Sequence, residues 1–172
     1  MAETYKIKVK DKLYIGDPCY VLSDEAYDQL LNVILRKEGC IATIQANGET
    51  AEMACHQTAY GDGAYDCVIG HQSIGCCGVD SGLIGIIPFE LLDTSKVDDR
   101  MYGDLAAIVE AEGDVELTYD NGTFYITFAD GTVIEIHTGD DIDDDYDDDV
   151  EYDEYEGDDY FDTDFDDINI ND

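Results

Sequence analysis

The stretch DVELTYDNGTFYITFADGTVIEIH, residues 114–137, decides the fold class. Val115, Leu117 and Tyr119 alternate with acids and threonine. After Asn121-Gly122, Phe124, Ile126 and Phe128 alternate with Thr123, Tyr125 and Thr127; Asp130-Gly131 then leads into a further apolar run from Val133. A period of two puts one set of side chains on each face of a strand, so each run reads as a half-buried strand. Asn-Gly and Asp-Gly suit the type I′ turn, whose two central residues need positive φ. The segment is therefore expected to form a three-stranded antiparallel meander over about 114–137.

Upstream, residues 40–87 are short runs rich in small and β-branched residues, broken by Gly48, Gly61, Gly63, Gly70, Gly75, Gly78, Gly82 and Gly85. Short strands with bulges or close backbone approaches fit that texture. Pro88 suits the first position of a brief helical turn, and residues 93–103 read as a loop. Only one segment has a helical period: Tyr27, Leu30, Leu31, Ile34 and Leu35. Ser23 can cap it, Asp24 and Glu25 suit its first turn, Arg36 and Lys37 its last, and Gly39 its stop, which predicts a helix over about 23–38. Residues 5–9 alternate apolar and charged side chains and, with Leu13–Ile15, are expected to form a hairpin. The fold class expected is α+β, mainly antiparallel β, with one helix packed on a curved sheet.

The chain has 172 residues and a net charge of −35, with 43 Asp and Glu against 8 Lys and Arg. Residues 140–172 hold 19 of those acids and no Lys or Arg, leaving 24 acids and all 8 cations in the remainder. Two units are expected: a folded body, 1–138, and a tail, 139–172, whose charge density opposes collapse and leaves it disordered when free. Even the body is acidic and repels phosphates, which excludes direct nucleic-acid binding. The opening MAETYK lacks a basic region followed by an apolar run, and no stretch approaches the about 18 apolar residues of a membrane span, so a cytoplasmic protein is expected. Cys19, Cys40, Cys55, Cys67, Cys76 and Cys77 then read as reduced thiols, most of them small core residues.

Candidate sites fall in three groups. In the tail, Tyr146, Tyr152, Tyr155, Tyr160, Phe161 and Phe165 are set among carboxylates that include Asp143, Asp145 and Asp147. Spaced carboxylates can imitate a phosphate backbone while aromatic rings take the places of bases, so the tail can fill a nucleic-acid groove of a basic partner; the plainer reading is a solubilising extension. Asp143, Asp145, Asp147 and Glu154 also fall on positions of a calcium loop, but Asp148 stands where that loop needs Gly, leaving only weak nonspecific Ca²⁺ or Mg²⁺ binding and no expected cofactor. The second group, Cys55, His56, Cys67, His71, Cys76 and Cys77, matches no zinc-site spacing, and adjacent cysteines on a strand point to opposite faces. The third, Asp17, Cys19, Tyr20, Asp62, Asp66 and Asp80, is a possible ligand pocket, with Cys19 as a conceivable nucleophile.

Tyr14-Ile-Gly-Asp-Pro-Cys-Tyr-Val21, Tyr60-Gly-Asp-Gly-Ala-Tyr65 and Gly78-Val-Asp-Ser-Gly82 resemble segments of small uncharacterised bacteriophage and prophage proteins, a likeness covering roughly residues 13–88. It implies a bacterial host cytoplasm, where small acidic proteins often act by binding a host protein, and it brings no catalytic residue. The function expected is a non-enzymatic inhibitor or modulator that binds a basic, nucleic-acid-binding protein. The alternatives are a small-ligand or Cys-dependent enzyme domain centred on the Asp17/Cys19 and Asp62/Asp80 segments, and an immunity-like protein that neutralises a basic toxin with its body surface.

Overall fold

The computed structural model describes residues 2–138, and these build three layers: two antiparallel sheets face to face and a helical layer on the outer side of one. The strands, in chain order, are β1 (Glu3–Val9), β2 (Lys12–Gly16), β3 (Gly39–Ala46), β4 (Glu49–Gln57), β5 (Gly63–Ile69), β6 (Gln72–Val79), β7 (Leu83–Pro88), β8 (Ala107–Glu110), β9 (Gly113–Asp120), β10 (Thr123–Thr127) and β11 (Val133–His137); the helix is α1 (Asp24–Ile34). One sheet runs β1-β9-β10-β11-β5-β6 and the other β3-β4-β7-β2-β8. Mainly antiparallel β with one helix is thus the architecture.

The meander is present as β9, β10 and β11. Asn121 and Gly122 both have positive φ, 56° and 86°, as a type I′ turn requires. The second connection differs from expectation. Only Gly131 is left-handed, Phe128 N donates to Thr132 O, and the Asp130 carboxylate accepts from Thr132 N. Asp130 thus serves the loop through its side chain and keeps an ordinary backbone.

The N-terminal hairpin is not formed. β1 pairs with β9 over its whole length, whereas β2 lies in the other sheet between β7 and β8. Residues 10–11 are a corner that carries the chain between layers. The physical reason is burial: β1 alternates exposed and buried side chains, while Leu13–Gly16 is buried throughout and needs cover on both faces. β7 is likewise buried at every position. Ile84 and Ile86 face the core between the sheets with Leu117, Phe124 and Ile136, while Leu83 and Ile87 face the helical layer with Leu30, Ile34 and Met53.

Ser23 caps α1 by accepting from Ala26 N at 3.2 Å. The helix ends four residues earlier than predicted, because Arg36, at φ 66°, takes the left-handed position expected of Gly39, and Lys37 N returns to Ile34 O. Gly39 instead opens β3. The stretch 93–103 contains two 3-10 turns, Thr94–Lys96 and Asp99–Tyr102, each capped by the preceding Asp side chain.

The sheet margins are each modified. On β3, the Gln29 side chain of α1 accepts from Gln45 N at 2.8 Å and donates to Gln45 O at 2.9 Å, occupying a backbone pair that a neighbouring strand would use. On β6, Cys76 N and Gly78 N donate to Gly103 O and Leu105 O, so a loop runs along that side. β1 presents Lys6 and Lys8, and β8 is four residues long.

Candidate functional site

Asp17, Cys19, Tyr20 and Asp80 are brought together at the end of β2. Pro18 begins a 3-10 turn with Asp17 at its cap, and the Asp17 carboxylate is fully buried. Oδ1 accepts from Cys19 N at 2.8 Å and Ser81 Oγ at 2.7 Å; Oδ2 accepts from Asp80 N at 2.6 Å and Ser81 N at 2.7 Å. Tyr14 Oη donates to the Asp17 carbonyl at 2.7 Å, and Tyr20 Oη donates to the Asp80 carboxylate at 2.8 Å. Four donors satisfy a buried carboxylate, and this one ties the β2 end to the β6–β7 connection. Asp62 and Asp66 stand apart: Asp62 is exposed ahead of β5, and Asp66 is exposed on β5 with Ser73 as its hydrogen-bond partner.

Cys19 lies beside this carboxylate, and burial together with Asp17 pushes its thiol up to about 12. A nucleophilic cysteine needs the opposite environment. Iodoacetamide at pH 8 should therefore modify Cys19 about a thousandfold more slowly than an unperturbed thiol, because the thiolate fraction falls in that proportion. Peptide mapping checks this, and modification of Cys19 at the rate of a free cysteine would restore the catalytic reading. Cys67 and Cys77 are buried with their sulfurs 2.9 Å apart, and the hydrogen bond with Cys67, followed by burial, pushes the Cys77 thiol upward. Cys76 is half-buried while Cys77 is fully buried, so the adjacent pair does face opposite ways.

A second polar cluster joins three distant points of the chain. His56 on β4 is buried and lies opposite Gly39 of β3. Its ring stacks on Tyr119 at 3.9 Å between centroids, with Phe124 edge-on. Nδ1 lies 2.9 Å from Gln57 O, and Nε2 is buried without a hydrogen-bond partner among the described residues. Glu3 Oε1 lies 3.5 Å from Nε2, and the candidate ligand atoms of Glu3, Glu38 and His56 all fall within 4.8 Å of one another. Tyr5 Oη donates to Glu3 Oε1 at 2.6 Å, which holds the Glu3 carboxyl below the usual carboxylate range. Sequence reasoning grouped His56 with the cysteines and passed over both glutamates; alternation in β1 places Glu3 and Tyr5 on one face, which is the signal it offered.

Two surface clefts are present, the second of which reaches Ser81 of the Asp17 cluster. One of about 510 Å³ is lined by Lys10, Asp11, Val109, Glu110, Phe128 and Asp130. The other, about 350 Å³, is lined by Tyr27, Leu31, Arg36, Lys37, Gln57 and Ser81. Neither includes Asp17, Cys19 or Tyr20. The tail residues Asp143, Asp145, Asp147, Tyr146, Tyr152, Tyr155, Tyr160, Phe161 and Phe165 lie outside the described residues. Among the described residues no helix is long and apolar enough to cross a membrane. No protein-family model, no curated protein and no solved structure matches the chain.

Proposed function

We propose that this chain is a non-enzymatic interaction protein, an inhibitor or modulator of the phage type, that engages a basic, nucleic-acid-binding protein. The observation that carries this reading is the distribution of charge. The body holds 24 acids against 8 cations, and most of those cations are already engaged nearby. Lys6 pairs with Glu116, Lys8 with Asp114, Lys10 with Glu49 and Glu90, and Arg100 with Asp98. Lys96 donates to the Leu22 carbonyl and Lys12 sits over the Phe89 ring. The carboxylates left over give a field that steers a cationic surface toward the molecule, and the tail adds 19 more along a length studded with aromatic rings. Tyr146, Tyr152, Tyr155, Tyr160, Phe161 and Phe165 would supply the apolar anchors in a groove that otherwise receives nucleic acid.

The test is a pull-down from bacterial lysate with the full chain and with a chain ending at residue 139, eluted by a salt gradient or by duplex DNA. The full chain should retain a basic nucleic-acid-binding protein that both salt and DNA release, and the shortened chain should lose it. Retention of the same partner by both baits, at the same salt, would place recognition on the body surface, as an immunity-like protein requires. A partner that DNA fails to displace would refute mimicry.

A further inference from the structure

We propose that Glu3, Glu38 and His56 form a binding site for a divalent transition ion, Zn²⁺ first among them. Nδ1 of His56 faces the Gln57 carbonyl, which can only accept, so the ring proton stands on Nδ1. In the neutral ring Nε2 then offers a lone pair, buried and aimed at two carboxylates. Lone pairs do not satisfy one another, and a cation between them does. The arrangement is that of a metal-ligating histidine, whose second nitrogen is fixed by a backbone carbonyl and whose carboxylate partner is itself hydrogen-bonded, here by Tyr5.

The surroundings hold the imidazole in this position. A Cβ at Gly39 would lie 2.4 Å from His56 Cδ2 and 2.6 Å from Tyr5 Oη, so only glycine lets β3 pass this close to the ring. Tyr119 covers one face of the ring. Gln57 N donates to Glu38 O, which ties the segment bearing Glu38 to the strand bearing His56. The two glutamate side chains are exposed and can turn inward to the about 3.3 Å separations that ligands about 2.0–2.2 Å from a tetrahedral ion require. One imidazole and two carboxylates suit Zn²⁺ and its first-row neighbours, whereas Ca²⁺ and Mg²⁺ prefer an all-oxygen set. Three protein ligands leave a fourth position for water or a partner's side chain.

The chain has three histidines, which makes the test direct. Full-length protein labelled with ¹⁵N-histidine is titrated with Zn²⁺ at physiological salt. One equivalent should move the Nε2 resonance of His56 and leave His71 and His137 in place. Co²⁺ should give the visible bands of nitrogen and oxygen ligation without a thiolate charge-transfer band. The Glu3→Gln/Glu38→Gln variant, altered only at exposed side chains, should keep its amide spectrum and bind Zn²⁺ at least tenfold more weakly. The proposal is overturned if His56 carries protons on both nitrogens and ignores Zn²⁺, if the ion perturbs cysteines instead, or if the double variant binds as tightly as the parent.

Discussion

Asp17→Asn should lower stability by about 3 kcal/mol, seen as a large drop in the urea midpoint with the slope of the transition unchanged. The substituted amide has almost the same shape, so the effect isolates charge and hydrogen-bond sense. Each carboxylate oxygen takes two donors, and at least one donor on each is a backbone N–H. Whichever way the amide of Asn turns, its NH₂ confronts an N–H that cannot accept. With the NH₂ in the Oδ1 position, Ser81 Oγ can rotate to accept but Cys19 N is left unpaired; with it in the Oδ2 position, both Asp80 N and Ser81 N are left unpaired. One orphaned buried donor costs about 1–3 kcal/mol, and the remaining bonds lose the assistance of the negative charge. Asp17→Ala should cost more, since it strands all four donors. An unchanged midpoint for the Asn variant would mean that the loops around residues 17 and 80 are held by something other than this carboxylate.

Gly75→Ala should be comparably damaging, at about 2–4 kcal/mol. Gly75 has φ 146°, and a Cβ there would lie 2.8 Å from the Cα of Gly103 and 2.9 Å from its carbonyl oxygen. Both obstacles are backbone, and Gly103 is itself pinned by Cys76 N on one side and by its own N–H to Ala106 O on the other. The strain should show locally before it shows globally: amide exchange at Cys76 and Gly78 should speed up as the 103–105 loop lifts off β6. Gly70→Ala is the control, because that turn glycine has positive φ but open space around it, and it should cost only about 1 kcal/mol. Equal losses at the two positions would show that the close approach at Gly75 carries no weight.

The elements legible from sequence were those written in local code. Ser23 ahead of Asp24 and Glu25 announces α1, and Asn121-Gly122 between alternating runs announces the β9–β10 hairpin. What escaped was set by partners far away in sequence. The alternation of residues 5–9 is genuine, yet nothing near it says that its partner is β9, more than a hundred residues on. Asn47-Gly48, with both φ values positive, is a hairpin turn of the same kind as Asn121-Gly122, but in the sequence Gly48 is one break among the eight glycines of residues 40–87. Asp17 and Asp80 fall in one candidate group in the sequence, as a possible ligand pocket. That Asp17 would be consumed by backbone donors from residues 80 and 81 was not visible, because donors carry no residue-type signature. The His56 cluster is the extreme case: β1, the α1–β3 connection and β4 each contribute one ligand, and Gly39 looks like a helix stop until the imidazole beside it is seen.

Gln29 bears on how another protein can read this one. By engaging both backbone groups of Gln45, a helix side chain does what an added strand would do, and it does so at the margin where a passing peptide would otherwise find matching groups. With the Gly103–Leu105 loop along β6, part of the main chain at two of the four margins is already engaged, while β1 and β8 keep their outer backbone open. What the β3 and β6 margins show another chain is then mainly side chains, and the charged ones of this molecule are mostly carboxylates, 43 against 8 Lys and Arg. Attraction through such charges follows ionic conditions rather than strand register, and the engaged backbone of β3 and β6 narrows the margins open to stacking into fibrils.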